Sequence, residues 1–203
     1  MKLTSKLMAG FLSAAMLVGL AACGGTPAGS AAPENSGAAE DPGAPSGGES
    51  YVVGICQQMT HDALDTATQG FKDALTDALG GAVTFTQQDA GGEYANCGTI
   101  MDGFVAQGVD LILANATYPL QAAVSATADI PILGTSVTDY ATALSIQDWT
   151  GTVGGNVSGT SDLAPLDQQA ELLHELFPDA QNVGLLYCSG EPNSVYQVTT
   201  IQG

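Results

Sequence analysis

Val109-Asp110-Leu111-Ile112-Leu113-Ala114 is apolar at five of its six positions, with Asp110 the one exception. A strand with one wet face alternates apolar and polar residues. A near-continuous apolar run is what a parallel strand covered on both faces requires. Working outward, Tyr51-Val52-Val53-Gly54-Ile55-Cys56 and Val83 to Gln87 are further short β-rich runs, and Ile130-Pro131-Ile132-Leu133 is a fourth. Helical periodicity fills the gaps. The first helix runs from about Ala63 to Leu79, with Phe71, Ala74, Leu75, Ala78 and Leu79 on one face, and Gly80-Gly81 stops it. The second runs from about Tyr94 to Gln107, burying Ile100, Met101, Phe104 and Val105 before Gly108. Pro119 opens the third, with Leu120, Ala123, Val124 and Thr127 inward. This β-α-β-α-β-α-β rhythm predicts an α/β fold, a doubly wound parallel sheet with right-handed crossovers.

After Gly134 the pattern loosens through a Gly/Thr/Asn-rich stretch to Asp162, so residues 51–162 read as one α/β lobe. A new rhythm follows, helix first. Pro165 to Leu176 is amphipathic through Ala170, Leu172, Leu173 and Leu176 and is stopped at Pro178; Asn182 to Tyr187 reads as a strand, and Ser194 onward as a helix start. Residues 163–203 are too few to close a core of their own, since domains need about 50 residues or more. The expectation is an incomplete second lobe in a fragment, the alternative being an extension packed on the first sheet.

Ahead of the globular part, Met1 to Ala22 has a cationic start (Lys2, Lys6), an apolar run from Leu7 to Leu20, and then Ala21-Ala22-Cys23-Gly24. The short greasy core and the small residues before the cut mark residues 1–22 as a lipoprotein signal peptide rather than a spanning helix. Lipid on Cys23 would place long acyl chains in a bacterial membrane, at ~0.8 kcal/mol per buried methylene, with the protein facing outward on the extracellular or periplasmic side. From Gly24 to Ser50, 21 of the 27 residues are Gly, Ala, Ser or Pro. Such a stretch buries too little apolar surface to order itself, so 23–50 is a flexible tether reaching roughly 30 Å.

Beyond Cys23 the chain keeps one cation, Lys72, against all 21 acidic residues, a net charge of −20. A nucleic-acid partner is excluded, because a phosphate backbone needs a basic stripe. The sequence has no Arg, so a ligand's anionic group must meet backbone N–H groups and hydroxyls unless Lys72 reaches it. Apart from the lipid site there are three cysteines, Cys56, Cys97 and Cys188. On an oxidising face that suggests one disulfide and one orphan, and Cys56 with Cys97 is the expected pair. With no CxxC spacing and no Cys/His cluster, no metal site and no cofactor are expected.

In open α/β sheets a ligand sits outside the carboxyl ends of the strands, where helix N-termini offer free N–H groups. Here those ends are Gln57 to Asp62, Asn115 to Tyr118 and Gly134 to Tyr140. The blocks His61-Asp62-Ala63-Leu64-Asp65, Asp110-Leu111-Ile112, Ser136-Val137-Thr138-Asp139, Asn156-Val157-Ser158-Gly159-Thr160-Ser161-Asp162 and Glu191-Pro192-Asn193-Ser194 resemble, in their joint spacing, the substrate-binding lipoproteins of ABC importers of the tryptophan/tyrosine type. The resemblance covers Tyr51 to Gly203, with Asp62 and Tyr140 standing where Pro is common.

It implies a type I periplasmic-binding-protein-like fold of two lobes hinged about a cleft, a small solute such as an aromatic or other amino acid, and a membrane permease as partner. It places ligand contacts near Gln57, Asn115, Thr117, Ser136, Thr138 and Asp139 in the first lobe, and Ser161, Asp162, Glu191, Asn193 and Ser194 from the second. The carboxylate of an amino acid would meet the helix starts after Asn115 or Glu191, helped by Thr117 or Ser194, and its ammonium Asp139 or Asp162. His61 reads as a helix-start residue and His174 as part of a solvated face. A rival reading is a hydrolase using Ser136 or Ser161, His61 or His174, and Asp62 or Asp162. Against it, no GxSxG elbow follows a strand. A non-transport surface lipoprotein would need no cleft at all.

Overall fold

A computed structural model describes residues 48–202. The signal, Cys23 and most of the tether lie outside the described residues. Five parallel strands form one sheet in the order β2-β1-β3-β4-β5: β1 Tyr51–Gln57, β2 Val83–Asp89, β3 Leu111–Asn115, β4 Ile132–Val137 and β5 Val157–Ser161. Helices α1 Asp62–Leu79, α2 Tyr94–Gln107 and α3 Thr117–Ala126 make the crossovers, α4 Tyr140–Ala143 follows β4, and α5 Leu166–Leu176 and α6 Pro192–Gln202 complete the chain.

The winding is double. On one face Phe71, Leu75 and Leu79 of α1 pack over Val53, Ile55, Val83 and Leu113. On the other, Cys97, Ile100, Met101 and Phe104 of α2 and Leu120, Ala122 and Ala123 of α3 pack over Cys56, Ile112, Ala114 and Ile132. Residues of alternating parity along each strand therefore feed opposite cores, which explains the unbroken apolar character of Leu111 to Ala114.

Several inward assignments differ. Ala74 and Ala78 of α1 are exposed, and the stripe is instead Leu64, Thr68, Phe71, Leu75 and Leu79. Val105 and Val124 also face solvent, one residue, and so about 100° of helix, beyond the buried Phe104 and Ala123. Thr127 is the C-cap of α3 rather than an inward helical residue, and its hydroxyl accepts from the Asp129 and Ile130 N–H groups.

Two element assignments also change. The stretch that reads as a loosened loop contains β5, an edge strand whose Val-Ser-Gly-Thr-Ser sequence carries no apolar alternation, its last four residues being exposed. Asn182 to Tyr187, which reads as a strand, has no strand partner and is exposed throughout. A strand's hydrogen bonds come from other segments, and none runs beside this one among the described residues.

Tyr140 shapes the β4–β5 seam. Its ring fits against Gly134 and Gly159, where an added Cβ would collide with the Tyr140 hydroxyl, and the hydroxyl donates to the Thr160 carbonyl at 3.1 Å. The aromatic ring standing where the resemblance has a Pro is thus accommodated by two glycines. Burial, and the Asp162 carboxylate after it, push the phenol up to about 12.

Candidate functional site

The strand order reverses direction between β1 and β3, because the chain runs from β1 outward to β2 and returns to the far side as β3. In sheets of this kind the ligand crevice lies at such a switch point, at the carboxyl edge between the loops that leave the two strands. Gln57, Gln58, Asn115, Ala116, Thr117 and Tyr118 stand at that position, all but Tyr118 buried, and the Gln58 N–H donates to the Asn115 carbonyl at 3.2 Å across it.

Beneath the crevice lies a buried amide network. The Thr68 hydroxyl donates to Gln57 Oε1 at 2.8 Å and accepts from Asn115 Nδ2 at 2.9 Å. Asn115 Nδ2 also donates to the Leu64 carbonyl, and Gln57 Nε2 donates to the Met59 carbonyl and to Asp65 Oδ1. Both amides are thereby fixed against α1. Among the described residues, Asn115 Oδ1 is the one buried side-chain polar atom left without a partner. An unpaired buried acceptor costs ~1–3 kcal/mol, and such a group needs a reason to persist.

Backbone geometry marks the same edge. Ala116, at the N-cap of α3, has φ 101°, and Ser136, near the end of β4, has φ 56°. Non-glycine residues in this region are strained by ~1–3 kcal/mol and persist where surrounding structure over-determines them, often at binding sites. The start of α3 has no side-chain cap. Its Tyr118 N–H donates to Gln58 Oε1 at 3.3 Å, Pro119 has no N–H, and Thr117 is buried beside them.

Residues 190–197 lie across this edge. Gln58 Nε2 donates to Glu191 Oε1 at 3.1 Å, the Tyr118 hydroxyl donates to the Gly190 carbonyl at 2.8 Å, and Gln197 Nε2 donates to Thr138 Oγ1 at 3.4 Å. Tyr94 stands edge-on to Tyr118 with ring centroids 5.5 Å apart. Burial and the Glu191 carboxylate raise the Tyr118 phenol above its usual range.

The expected contacts divide by what their polar atoms already do. Gln57 and Ser161 are engaged within the protein; the Ser161 hydroxyl donates to the Thr138 carbonyl at 2.7 Å and accepts from the Leu163 N–H. Asp139 caps α4 through Oδ1, accepting from the Thr142 N–H at 2.7 Å. Ser136 is half-buried on the strand end, Asp162 is exposed, and Asn193 and Ser194 form the half-buried first turn of α6 after Pro192. A cavity of 580 Å³ between α4 and α6, bounded by Thr142, Gly190, Pro192, Val195 and Tyr196, holds none of the expected contacts. Another of 400 Å³, beside Tyr140 and Trp149, holds only Ser161. The expected set is strung along one edge, with no closed pocket around it in either cavity.

The rival catalytic set is not assembled. His61 is the N-cap of α1, its Nδ1 accepting from the Ala63 N–H, and His174 is exposed on α5. Among the described residues, no hydrogen bond joins either histidine to Ser136 or Ser161. Lys72 is occupied on the outer strand β2, where Nζ donates to Gln87 Oε1 at 3.3 Å and lies 5.6 Å from the Phe85 ring centroid. Sequence reasoning singled out neither Gln58 nor Tyr118, although both stand in strand-end segments it had marked. Thr68 and Tyr94 lay outside those segments, and only contacts across the fold identify them.

Comparison with known proteins agrees with this geometry. The profile of the family described as ABC transporter substrate binding protein matches residues 52–202. The chain is 35% identical over 203 residues to a tyrosine-binding protein of Clostridioides difficile, covering 98% of this chain and 56% of that relative. Among solved structures it is similar to a conserved domain protein from Vibrio cholerae, with TM-score 0.71 and 34% identity over 76% of this chain and 53% of the other. It is also similar to an ABC domain in complex with L-Trp from Streptococcus pneumoniae, with TM-score 0.69 and 33% identity over 75% and 52%. The chain therefore spans about half the length of the relatives it matches, and its doubly wound sheet is that of their type I periplasmic-binding-protein fold. A match over residues 52–202, with a relative of this identity aligned along nearly the whole chain, means that the chain belongs to the ABC transporter substrate binding protein family.

Proposed function

We propose that this protein is the solute-binding component of an ABC importer, anchored by lipid on Cys23 at the outer face of a bacterial membrane, and that its solute is an amino acid, with aromatic ones favoured. Residues 51–162 would form one lobe of the binding cleft and 163–203 the opening of the other, with the ligand bridging them and the closed form docking on a permease. Its task is binding, without chemical conversion of the solute.

The observation that carries this reading is the switch point between β1 and β3, marked by a buried amide network and strained strand ends, in a chain of this family. A tyrosine-binding relative and a relative in complex with L-Trp support an amino acid as the solute. Its carboxylate would lie at the start of α3, near Thr117 and in competition with Gln58 Oε1 for the Tyr118 N–H, or at the first turn of α6, near Ser194, since Lys72 is held elsewhere. Its ammonium would meet Asp139 or Asp162. Asn115, Ser136, Thr138, Glu191 and Asn193 would complete the lining, while Gln57 and Ser161 hold the strand ends in place.

The test is calorimetric titration of the full-length protein with tryptophan, tyrosine, leucine and a des-amino analogue. Asp139→Asn keeps a capping oxygen for α4 while removing the charge. That substitution or Asp162→Asn is expected to weaken amino-acid binding at least tenfold, about 1.4 kcal/mol. Equal binding of the des-amino analogue, or no loss in either variant, would overturn the assignment. Cys23→Ala is expected to abolish acyl labelling and release the protein from membranes; labelling that persists would refute the anchor.

A further inference from the structure

Cys56 and Cys97 are free thiols in the structure, 41 residues apart in sequence and both fully buried. Their meeting follows from how α2 lies on β1. A Cβ at Gly54 would stand 2.7 Å from Phe104 Cδ2, so α2 sits directly on β1 at that point. Cys56 shares a face of β1 with Gly54, about 6.6 Å further toward the carboxyl end. Cys97 shares a face of α2 with Phe104, two turns and about 10.5 Å nearer the helix start. Because α2 returns the chain between parallel strands, its start lies over the carboxyl ends, and Cys97 is brought over Cys56.

Local hydrogen bonds fix the same approach. The Ala90 and Gly92 N–H groups donate to the Gln57 and Gln58 carbonyls at 2.9 and 2.7 Å, and Asn96 Nδ2 donates to the Ala90 carbonyl at 2.9 Å. The two thiols act on each other. Hydrogen bonding to Cys97, then burial, raises the Cys56 thiol, while the same contact lowers that of Cys97. Cys188 is exposed and lies in neither core cluster.

We infer that Cys56 and Cys97 are joined by a disulfide in the exported protein, tying the carboxyl end of β1 to the first turn of α2 and leaving Cys188 as the unpaired cysteine. The oxidant is an external disulfide. Cys97, in a helix's first turn where a thiolate is favoured, attacks one of its sulfurs and expels one thiol. The Cys56 thiolate then attacks Cys97 Sγ and expels the second. Two electrons and two protons pass from the cysteines to the external disulfide, which leaves as two thiols. Since both sulfurs are buried once α2 has docked, the exchange takes place during folding. The bond fixes the segment that carries Gln57 and Gln58 into the crevice.

An oxidising location is part of the proposed function, so the test supplies the oxidant directly and stands apart from export and ligand binding. The sequence has Lys only at positions 2, 6 and 72 and no Arg, so a lysine-specific protease can separate Cys56 from Cys97 only after Lys72. The reduced full-length protein carrying Cys23→Ser, which leaves Cys56 as the one thiol ahead of Lys72, is refolded with oxidised glutathione, denatured, alkylated and cut. The piece ending at Lys72 and the piece from Asp73 onward are expected to migrate together without reductant and apart with it. Cys188→Ser should keep that linkage and Cys97→Ser should lose it. Wild type and Cys188→Ser refolded under reducing conditions should have a Tm about 5–10 °C below that of the same proteins refolded with oxidised glutathione. Pieces that separate without reductant, a linkage that survives Cys97→Ser, or one lost in Cys188→Ser would each overturn the inference.

Discussion

Residues 51–161 and residues 162–202 are built from the same vocabulary of apolar runs and amphipathic stripes, yet the second set, apart from Leu166 and the half-buried first turns of α6, is left unpacked. Ile55, Phe104, Ile112, Leu120 and Ile132 are all essentially inaccessible to water, whereas Leu172 is 52% exposed, Leu176 63% and Leu186 101%. The difference shows which kinds of structure a sequence can make unaided. Helices α5 and α6 form where their periodicity predicts them, because each N–H finds its carbonyl within the same segment. Val183 to Tyr187 has a strand's composition but no paired neighbour, and remains extended and bare.

The comparison can be broken most sharply at the β4–β5 seam. A Cβ on Gly159 would meet the Gly134 carbonyl and the Tyr140 hydroxyl, and backbone cannot give way as a side chain tip can. Gly159→Ala is expected to cost about 3 kcal/mol in urea denaturation. A loss under 1 kcal/mol would mean that Tyr140 does not lie in that seam.

Next is the network under the crevice. Thr68→Val keeps the shape but strips Gln57 Oε1 of its donor and Asn115 Nδ2 of one of its two acceptors. The expected loss is about 2 kcal/mol, with Thr68→Ser recovering most of it. Equal losses in both variants would assign the effect to packing instead of hydrogen bonding.

A smaller effect is expected at high pH. The folded Tyr140 phenol is raised to about 12, so the folded state holds that proton more tightly than the unfolded chain does. Its contribution is complete below about pH 10, the ordinary phenol range, and is lost as pH rises toward 12. Stability should fall across that window in wild type and fall less in Tyr140→Phe, measured as denaturation midpoints at matched ionic strength. Parallel curves would refute the assignment.

The smallest effect belongs to the bare segment. Leu186→Ser should change stability by no more than about 0.5 kcal/mol, since Leu186 makes no buried contact to lose. A cost above 1 kcal/mol would show that Val183 to Tyr187 is packed in solution and would erase the contrast between the two regions.

Local and periodic information carried most of the fold. The bounds of α2, Tyr94–Gln107, follow from its periodicity and Gly108, and the buried strand Leu111–Asn115 from its unbroken apolar run. Strand β5 escaped because four of its five residues are exposed and give no apolar alternation; the polar Val157–Ser161 looks like loop until β4 is beside it. The site was legible as places more than as roles. Asn115, Thr117, Ser136 and Asp139 stand at or just beyond the strand ends, where the sequence puts them, but the cap that occupies one Asp139 oxygen and the inward turn of Gln57 depend on which groups stand opposite them.

The sequence by itself determined the alternation of strand and helix, the strong net acidity beyond Cys23, and the absence of any Arg to receive an anion. These depend on composition and on the order of residues along one chain. Tertiary structure alone decided that Thr68 joins Gln57 to Asn115, that Gln58 and Tyr118 meet the 190–191 backbone and side chain, and that Tyr140 threads between two glycines. The hydrogen bonds among those contacts join residues 11 to 133 positions apart. A hydrogen bond reaches only about 3 Å, so a partner so distant along the chain is defined by the packing of α1, α3 and α6 around the sheet.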